Sequence, residues 1–323
     1  MPRSFLRAPL VALVALCVAS CGQAPGPVVA PPPTQQTVRY LEVGNSFSRN
    51  ATWYLASLAQ AANCPLVHHY ARVGGSSMDV HWGMAEAFER NPQDKAGLYP
   101  TGKSLHQELL AEPWDVVTIQ QVSIKSHDVS TYRPYAAQLK GYILEHAPRA
   151  RLLLHQTWAY RRDDPRFAVA TPAPGEPATQ EAMYRGLCSA YDTIGAELGA
   201  SRIPVGDAFW LADTDPTWGY RVDPRFDPLT AVFPALPNQT HSLHVGWTWQ
   251  KQADGGRTLV MDGHHAGPAG QYLGSCVFFE VLFGRSVVGN TFAPGNLPAD
   301  YVRFLQETAH RAVAARALTA AAP

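Results

Sequence analysis

The chain has no excess of either charge. Its 323 residues carry 26 lysines and arginines against 26 aspartates and glutamates, a formal net charge of +0. That removes the electrostatic case for nucleic acid as a partner. Metal spacings are missing too: there is no Cys-x-x-Cys, and the 12 histidines form no His-Glu-x-x-His. We therefore expect no metal and no cofactor. Cysteine is scarce. Beyond the N-terminal segment only Cys64, Cys188 and Cys276 remain, and an odd number does not build a disulfide framework. Past that segment no apolar run is long enough to span a bilayer. The hydrophobic fraction of 46% and the charged fraction of 16% are those of a globular chain. About 280 residues would fill one large domain.

The N-terminal segment reads as an export signal. Met1 to Arg7 carries two arginines, and Ala8 to Val18 is apolar but too short for an ordinary transmembrane helix. Val18-Ala19-Ser20-Cys21-Gly22 follows and resembles a bacterial lipobox, in which the cysteine becomes the lipidated N-terminus. The expectation is a lipoprotein signal over residues 1–20 with lipid on Cys21. A plain secretory signal with an incidental cysteine is the competing reading. By the same resemblance, Gly22 in place of an aspartate implies sorting to the outer membrane. Residues 21–37 are rich in proline and glutamine and read as a flexible tether, so the lipid would be the membrane anchor of a domain over 38–323.

Within that domain, short apolar runs alternate with helical periods. Arg39–Val43, Pro65–Val73, Asp115–Gln120, Arg151–His155 and Arg202–Val205 read as strands. Asn50–Ala62, the stretch from Met78, Thr131–His146 and Glu176–Leu198 read as helices. This alternation predicts an α/β fold: a flavodoxin-like open parallel sheet with helices on both faces. Such sheets bind ligands at the carboxyl ends of their strands. The residues at those ends are Gly44-Asn45-Ser46, Gly74-Gly75-Ser76, Gln120-Gln121-Val122-Ser123 and Gln156-Thr157-Trp158. Ser76 or Ser77 would cap the helix that starts at Met78. Residues 208–260 break the rhythm. They hold several tryptophans and prolines and show no clear period, as expected of an aromatic-rich insertion or lid. Asp262-Gly263-His264-His265 follows, then a helix to about Phe283 and a last helix near Tyr301 to Leu318.

A serine at a strand-to-helix turn is either a nucleophile or a helix N-cap. Here it comes with a glycine pair after the second strand and an Asp-x-x-His late in the chain. In that order, "GNSFS", "GGSSMDVHW", "HQTWAY" and "DGHHAGPAGQYLGSC" resemble the SGNH/GDSL esterase–lipase superfamily, within a bacterial branch that is largely uncharacterised. The resemblance runs roughly from Arg39 to Asn290, with the insertion outside it. It implies Ser46 as nucleophile, His265 as base and Asp262 as the residue that orients the base. His264 is the rival for the base. The oxyanion hole would be the backbone N–H of Ser46, that of Gly75 and a side chain after the third strand. The superfamily has Gly-x-Asn there, whereas this chain has Gln121-Val122-Ser123. The amide of Gln121 is favoured as donor by its longer arm, with the Ser123 hydroxyl as alternative. Asn45 is expected to brace the turn, and His81, Trp82 and Trp158 are candidates for substrate contact, each also readable as core.

The resemblance implies an ester hydrolase working through an acyl-enzyme. Carbohydrate or polysaccharide O-deacetylation is the first reading, because the insertion offers tryptophan and tyrosine faces interleaved with Asp, Arg and Pro. The partner expected is thus an acetylated glycan. A short-chain acyl or aryl esterase, or a lipase, is second. A reading of another class is a surface carbohydrate-binding lipoprotein whose activity the altered oxyanion motif has impaired.

Overall fold

The computed structural model describes Met1 and residues 36–168 and 177–320, with side chains to residue 316. The lipobox and nearly all of the tether lie outside the described residues. Among the described residues, no helix is long and apolar enough to cross a membrane.

Five parallel strands form the central sheet: β1 (Val38–Gly44), β2 (Leu66–Arg72), β3 (Val116–Ile119), β4 (Arg151–His155) and β5 (Ser201–Ile203), in the order β2-β1-β3-β4-β5. This is the flavodoxin-like order. Its switch point, where connections leave in opposite directions, falls between β1 and β3. The inner strands are buried because both faces are covered: all four residues of β3 are buried, as are the last five of β1.

The first helical pattern divides into α1 (Ser46–Ala51) and α2 (Leu55–Ala61). Next come α3 (Met78–Arg90), α4 (Leu105–Leu109), α5 (Tyr135–His146) and α6 (Gln180–Leu198). The chain ends with α7 (Val205–Asp213), α8 (Pro268–Phe283) and α9 (Ala299–Ala320). Helices α3, α4 and α5 pack on one another, while α1, α2, α7 and α9 gather around α8. Helix α8 is buried on nearly every side, as a helix between sheet and outer helices must be. Its Ser275 hydroxyl donates to the Ala51 carbonyl at 3.0 Å and accepts from the Tyr54 N–H at 3.0 Å, which ties α1 to the core.

The insertion differs from expectation. Residues 208–260 are not one aperiodic loop. They hold most of α7, the strand β6 (His244–Lys251) and the start of β7 (Arg257–Ala266), which pairs with it as an antiparallel hairpin. The hairpin signal is in the sequence: Trp247 and Trp249 alternate along one strand and Asp254-Gly255 marks the turn. Trp218 packs against Tyr301 and Phe304 of α9, so part of the aromatic content is core. The Asp-x-x-His segment lies on β7 rather than in a free turn. The described cysteines Cys64, Cys188 and Cys276 are free.

Candidate active site

The site begins where β1 ends. Gly44 leaves the sheet with no room for a side chain: a Cβ there would lie 2.2 Å from the Ser48 hydroxyl. Asn45 is the N-cap of α1. Its Oδ1 accepts the Phe47 N–H at 2.9 Å, and its Nδ2 donates to the Ser76 carbonyl at 2.8 Å, tying the first turn to the second. The capping task therefore falls on Asn45. Ser46 is the first residue of α1, and its side chain is free for chemistry.

His265 and Asp262 arrive from the hairpin. β7 carries an irregularity here: His244 pairs with Ala266 and Gly246 with Asp262, so three residues of β7 face one of β6. The extra residues turn Asp262 and His265 to the same side. His265 Nε2 lies 2.9 Å from Ser46 Oγ, and its Nδ1 lies 2.9 Å from Asp262 Oδ2. Asp262 Oδ1 also accepts the His265 backbone N–H at 3.0 Å. Partial burial pushes the Asp262 carboxyl up. The bonds from His265 and the field of both imidazoles outweigh that and hold it well below the usual carboxylate range. His264 Nδ1 is 3.0 Å from Asp262 Oδ1, and burial lowers the pKa of its ring. The geometry separates the two histidines: His265 bridges Asp262 and Ser46, whereas His264 meets Asp262 alone. The ligating atoms of Asp262, His264 and His265 are within 4.8 Å of one another. A cation held there would occupy the lone pairs that the Ser46 relay uses.

Several candidates are placed away from the role expected of them. Gln121 is fully buried. Its Nε2 donates to the Thr131 carbonyl at 2.8 Å, and its Oε1 accepts the N–H groups of Met78 at 3.2 Å and Val122 at 2.9 Å. Its amide is thus committed to joining the end of β3, the start of α3 and the Thr131 loop, not aimed at an oxyanion. The Ser123 hydroxyl accepts from Tyr160 OH at 3.1 Å and is buried. Gly75 sits at φ +68, a conformation glycine adopts freely. The N–H of Ser46, at the first position of a helix, has no intrahelical acceptor.

His81 is buried and bonded at both nitrogens, to Ser76 Oγ at 2.8 Å and Tyr99 OH at 2.8 Å, so it braces the Gly75 turn instead of facing solvent. Burial pushes its pKa down to about 4. Ser77 occupies the N-cap position of α3 without accepting a backbone N–H, and Ser76 is turned to the Val73 carbonyl at 2.9 Å. Trp82 is partly buried against Tyr142. Trp158 is fully buried between Phe47 and Phe209. Its indole N–H donates to the His264 carbonyl at 2.9 Å, so it fixes β7 and does not floor a pocket.

The cleft at Ser46 has a volume of about 350 Å³ and is lined by Asn45, Ser46, Arg49, Tyr70, Arg72 and Gly74. Arg49, Tyr70 and Arg72 were not among the sequence candidates. Arg72 lies over the Tyr70 ring at 4.0 Å and pairs with the buried Glu42 at 2.5 Å, and Arg49 lies 5.0 Å from the Trp53 ring centroid. Tyr70 and Arg72 share one face at the carboxyl end of β2, a position the sheet rule points to. Arg161 was also missed. It is buried, holds Asp163 through two nitrogens, and donates to Gln239 at 2.7 Å, anchoring the insertion behind β7.

Strand order, the serine after β1 and the Asp-x-x-His strand before α8 define an SGNH/GDSL-hydrolase-like α/β fold. Residues 39–194 match the family model described as a domain of unknown function, DUF4886. A DUF4886 family protein from Bacteroides uniformis superposes with a TM-score of 0.64 at 24% identity, covering 86% of this chain and 95% of that one. A candidate SGNH hydrolase from Slackia heliotrinireducens has a TM-score of 0.44 at 19% identity, over 76% of this chain and 98% of that one. A candidate GDSL-like lipase from Parabacteroides merdae has a TM-score of 0.44 at 14% identity, over 77% and 97%. No curated protein sequence matches the chain.

The placement of Gln121 carries a prediction. Gln121→Ala leaves two buried N–H groups and one carbonyl unpaired, and should lower stability by about 1–3 kcal/mol. The folded protein should keep kcat for an ester substrate within about tenfold, short of the loss expected of an oxyanion donor. Melting curves and kcat normalised to folded protein check this. A kcat loss beyond about 10²-fold at unchanged Tm would return the oxyanion to the Gln121 amide.

Proposed function

We propose that the protein is a serine ester hydrolase acting through an acyl-enzyme, with an O-acetylated carbohydrate as substrate. One observation carries the reading: His265 Nε2 stands 2.9 Å from the Ser46 hydroxyl, with Asp262 on the other side of the ring. As Ser46 Oγ attacks the ester carbonyl, its proton passes to His265 Nε2. Asp262 holds Nδ1–H and stabilises the imidazolium that forms. The tetrahedral oxyanion is met by the backbone N–H groups of Ser46 and Gly75. Collapse breaks the bond to the alcohol oxygen, which takes the proton from His265. Water then attacks the acyl-Ser46, with His265 as base a second time.

The cleft supports a polar substrate. It is lined by the cationic side chains of Arg49 and Arg72 and by Tyr70, which is 44% exposed. Sugar rings pack on such faces and hydrogen-bond to such donors. We place the domain on the outer membrane through a lipid on Cys21 and the tether that follows. One feature favours a second reading, an acyl esterase or lipase: the insertion exposes Leu229 at 93%, Val232 at 75% and Phe233, an apolar group of the kind that meets a lipid surface.

The test is acetate release from an acetylated oligosaccharide, beside hydrolysis of p-nitrophenyl acetate and p-nitrophenyl palmitate by the soluble domain. Oligosaccharide and acetyl ester should turn over and palmitate should not. Preference for palmitate would favour the lipase. No turnover of any ester would leave a binding protein on an esterase scaffold.

A further inference from the structure

A second cluster of ligating side chains lies on the layer formed by α3, α4 and α5, and no part of it lines the Ser46 cleft. Glu89 comes from the last turn of α3, His106 from α4, and His146 is the last residue of α5. Glu89 Oε1 and His106 Nδ1 are 2.9 Å apart. The rings of His106 and His146 stand 4.4 Å apart between centroids. One ligating atom from each of the three residues lies within 4.8 Å of the others.

The residues around the cluster orient it. His146 Nδ1 faces the Tyr142 carbonyl at 2.9 Å. A carbonyl only accepts, so Nδ1 carries the proton and Nε2 carries the lone pair. Histidine ligands of metals are commonly held this way, donating their other N–H to a carbonyl. Tyr142 also donates its hydroxyl to Glu89 Oε1 at 2.6 Å, fixing the carboxylate. One residue of α5 thus orients two of the three groups.

We propose that Glu89, His106 and His146 form a zinc site that ties α3, α4 and α5 together. Two imidazoles and one carboxylate are an ordinary ligand set for this ion. Neighbouring ligands of a tetrahedral zinc are about 3.3 Å apart, as bond lengths of 2.0–2.1 Å require. Glu89 and His106 are already near that spacing, and the His146 atom lies within 4.8 Å of both. All three groups keep some exposure, so water can take the fourth position. Without an ion, the Glu89–His106 pair on a partly exposed surface contributes little. A divalent cation shared among three helices would contribute more. The ligands are spread over residues 89, 106 and 146, which is why no metal spacing shows in the sequence.

The experiment uses the full chain, stripped with chelator and titrated with zinc chloride. Calorimetry and metal analysis should give one tight equivalent per chain. At about 100-fold excess over Kd, Tm should rise by about 4–8 °C. Magnesium and calcium, which prefer all-oxygen sites, should not replace zinc. His106→Ala and His146→Ala should each lose the equivalent and the Tm rise, whereas His264→Ala should keep both. Cobalt(II) provides a readout independent of stability: its visible ligand-field bands should appear with the unaltered chain and vanish with His106→Ala. Zinc should leave hydrolysis at Ser46 unchanged. No binding, or binding that His264→Ala abolishes and His106→Ala spares, overturns the proposal. The second result would put the ion on Asp262, His264 and His265, where it should inhibit.

Discussion

Ser46→Ala should lower kcat for p-nitrophenyl acetate by about 10⁴–10⁶-fold, as removal of the nucleophile does in serine hydrolases. The fold should not change. The helix cap belongs to Asn45, whose Oδ1 accepts the Phe47 N–H, so the substitution removes no capping bond. The Ser46 hydroxyl meets His265 at the open end of the sheet, and its loss leaves no polar group stranded in the core. Stability should therefore stay within about 0.5 kcal/mol of the parent. The pair of readouts matters. A large kcat loss with an unchanged melting curve identifies a nucleophile. A large loss with a lowered Tm would mean that Ser46 supports the turn. Near-parental activity would remove Ser46 from the chemistry. A serine-directed phosphonate should label Ser46 and spare Ser76, whose hydroxyl is turned to the Val73 carbonyl and His81.

His265→Ala should cost at least about 10³-fold in kcat, while His264→Ala should stay within about tenfold. Both imidazoles reach Asp262, at 2.9 Å for His265 and 3.0 Å for His264, but the distance of 2.9 Å to Ser46 Oγ belongs to His265. Removing the His264 ring takes one contact from a carboxylate that keeps the backbone N–H groups of residues 264 and 265 and the His265 ring. Removing His265 leaves the hydroxyl without a base. Asp262→Asn should lower kcat by about 10⁴-fold, because an amide at that position favours the wrong imidazole tautomer. Equal losses at the two histidines would contradict the assignment. The Asp262 carboxyl is held well below the usual range, so it stays ionised as the pH falls through mildly acid values. Asp262 should then add no acid limb of its own to the kcat/KM profile, and Asp262→Asn should lower the whole curve.

The local sequence determined much of the catalytic frame. The apolar runs before Gly44, Gln120 and Gln156 are short, bounded by turns and separated by helical periods, which is enough to specify buried parallel strands. Because such strands present their carboxyl ends to one side, the serine after the first strand stands at that edge, and the Asp-x-x-His reaches it from the separate β6–β7 hairpin. Other features were decided by partners remote in the sequence. Gln121 looks like a free donor until its amide is seen donating to Thr131 and accepting from Met78. Trp158 and His81 look like pocket residues until their rings are seen bonded inward to His264 and to Ser76. Arg49, Tyr70 and Arg72 carry no motif, yet they line the cleft beside Ser46. Glu89, His106 and His146 have no common spacing, and only the packing of three helices brings them together. Backbone periodicity is a local property, so it can be read along the chain. The direction of a polar side chain depends on which donor or acceptor folding brings within about 3 Å of it, and that is a property of the tertiary structure.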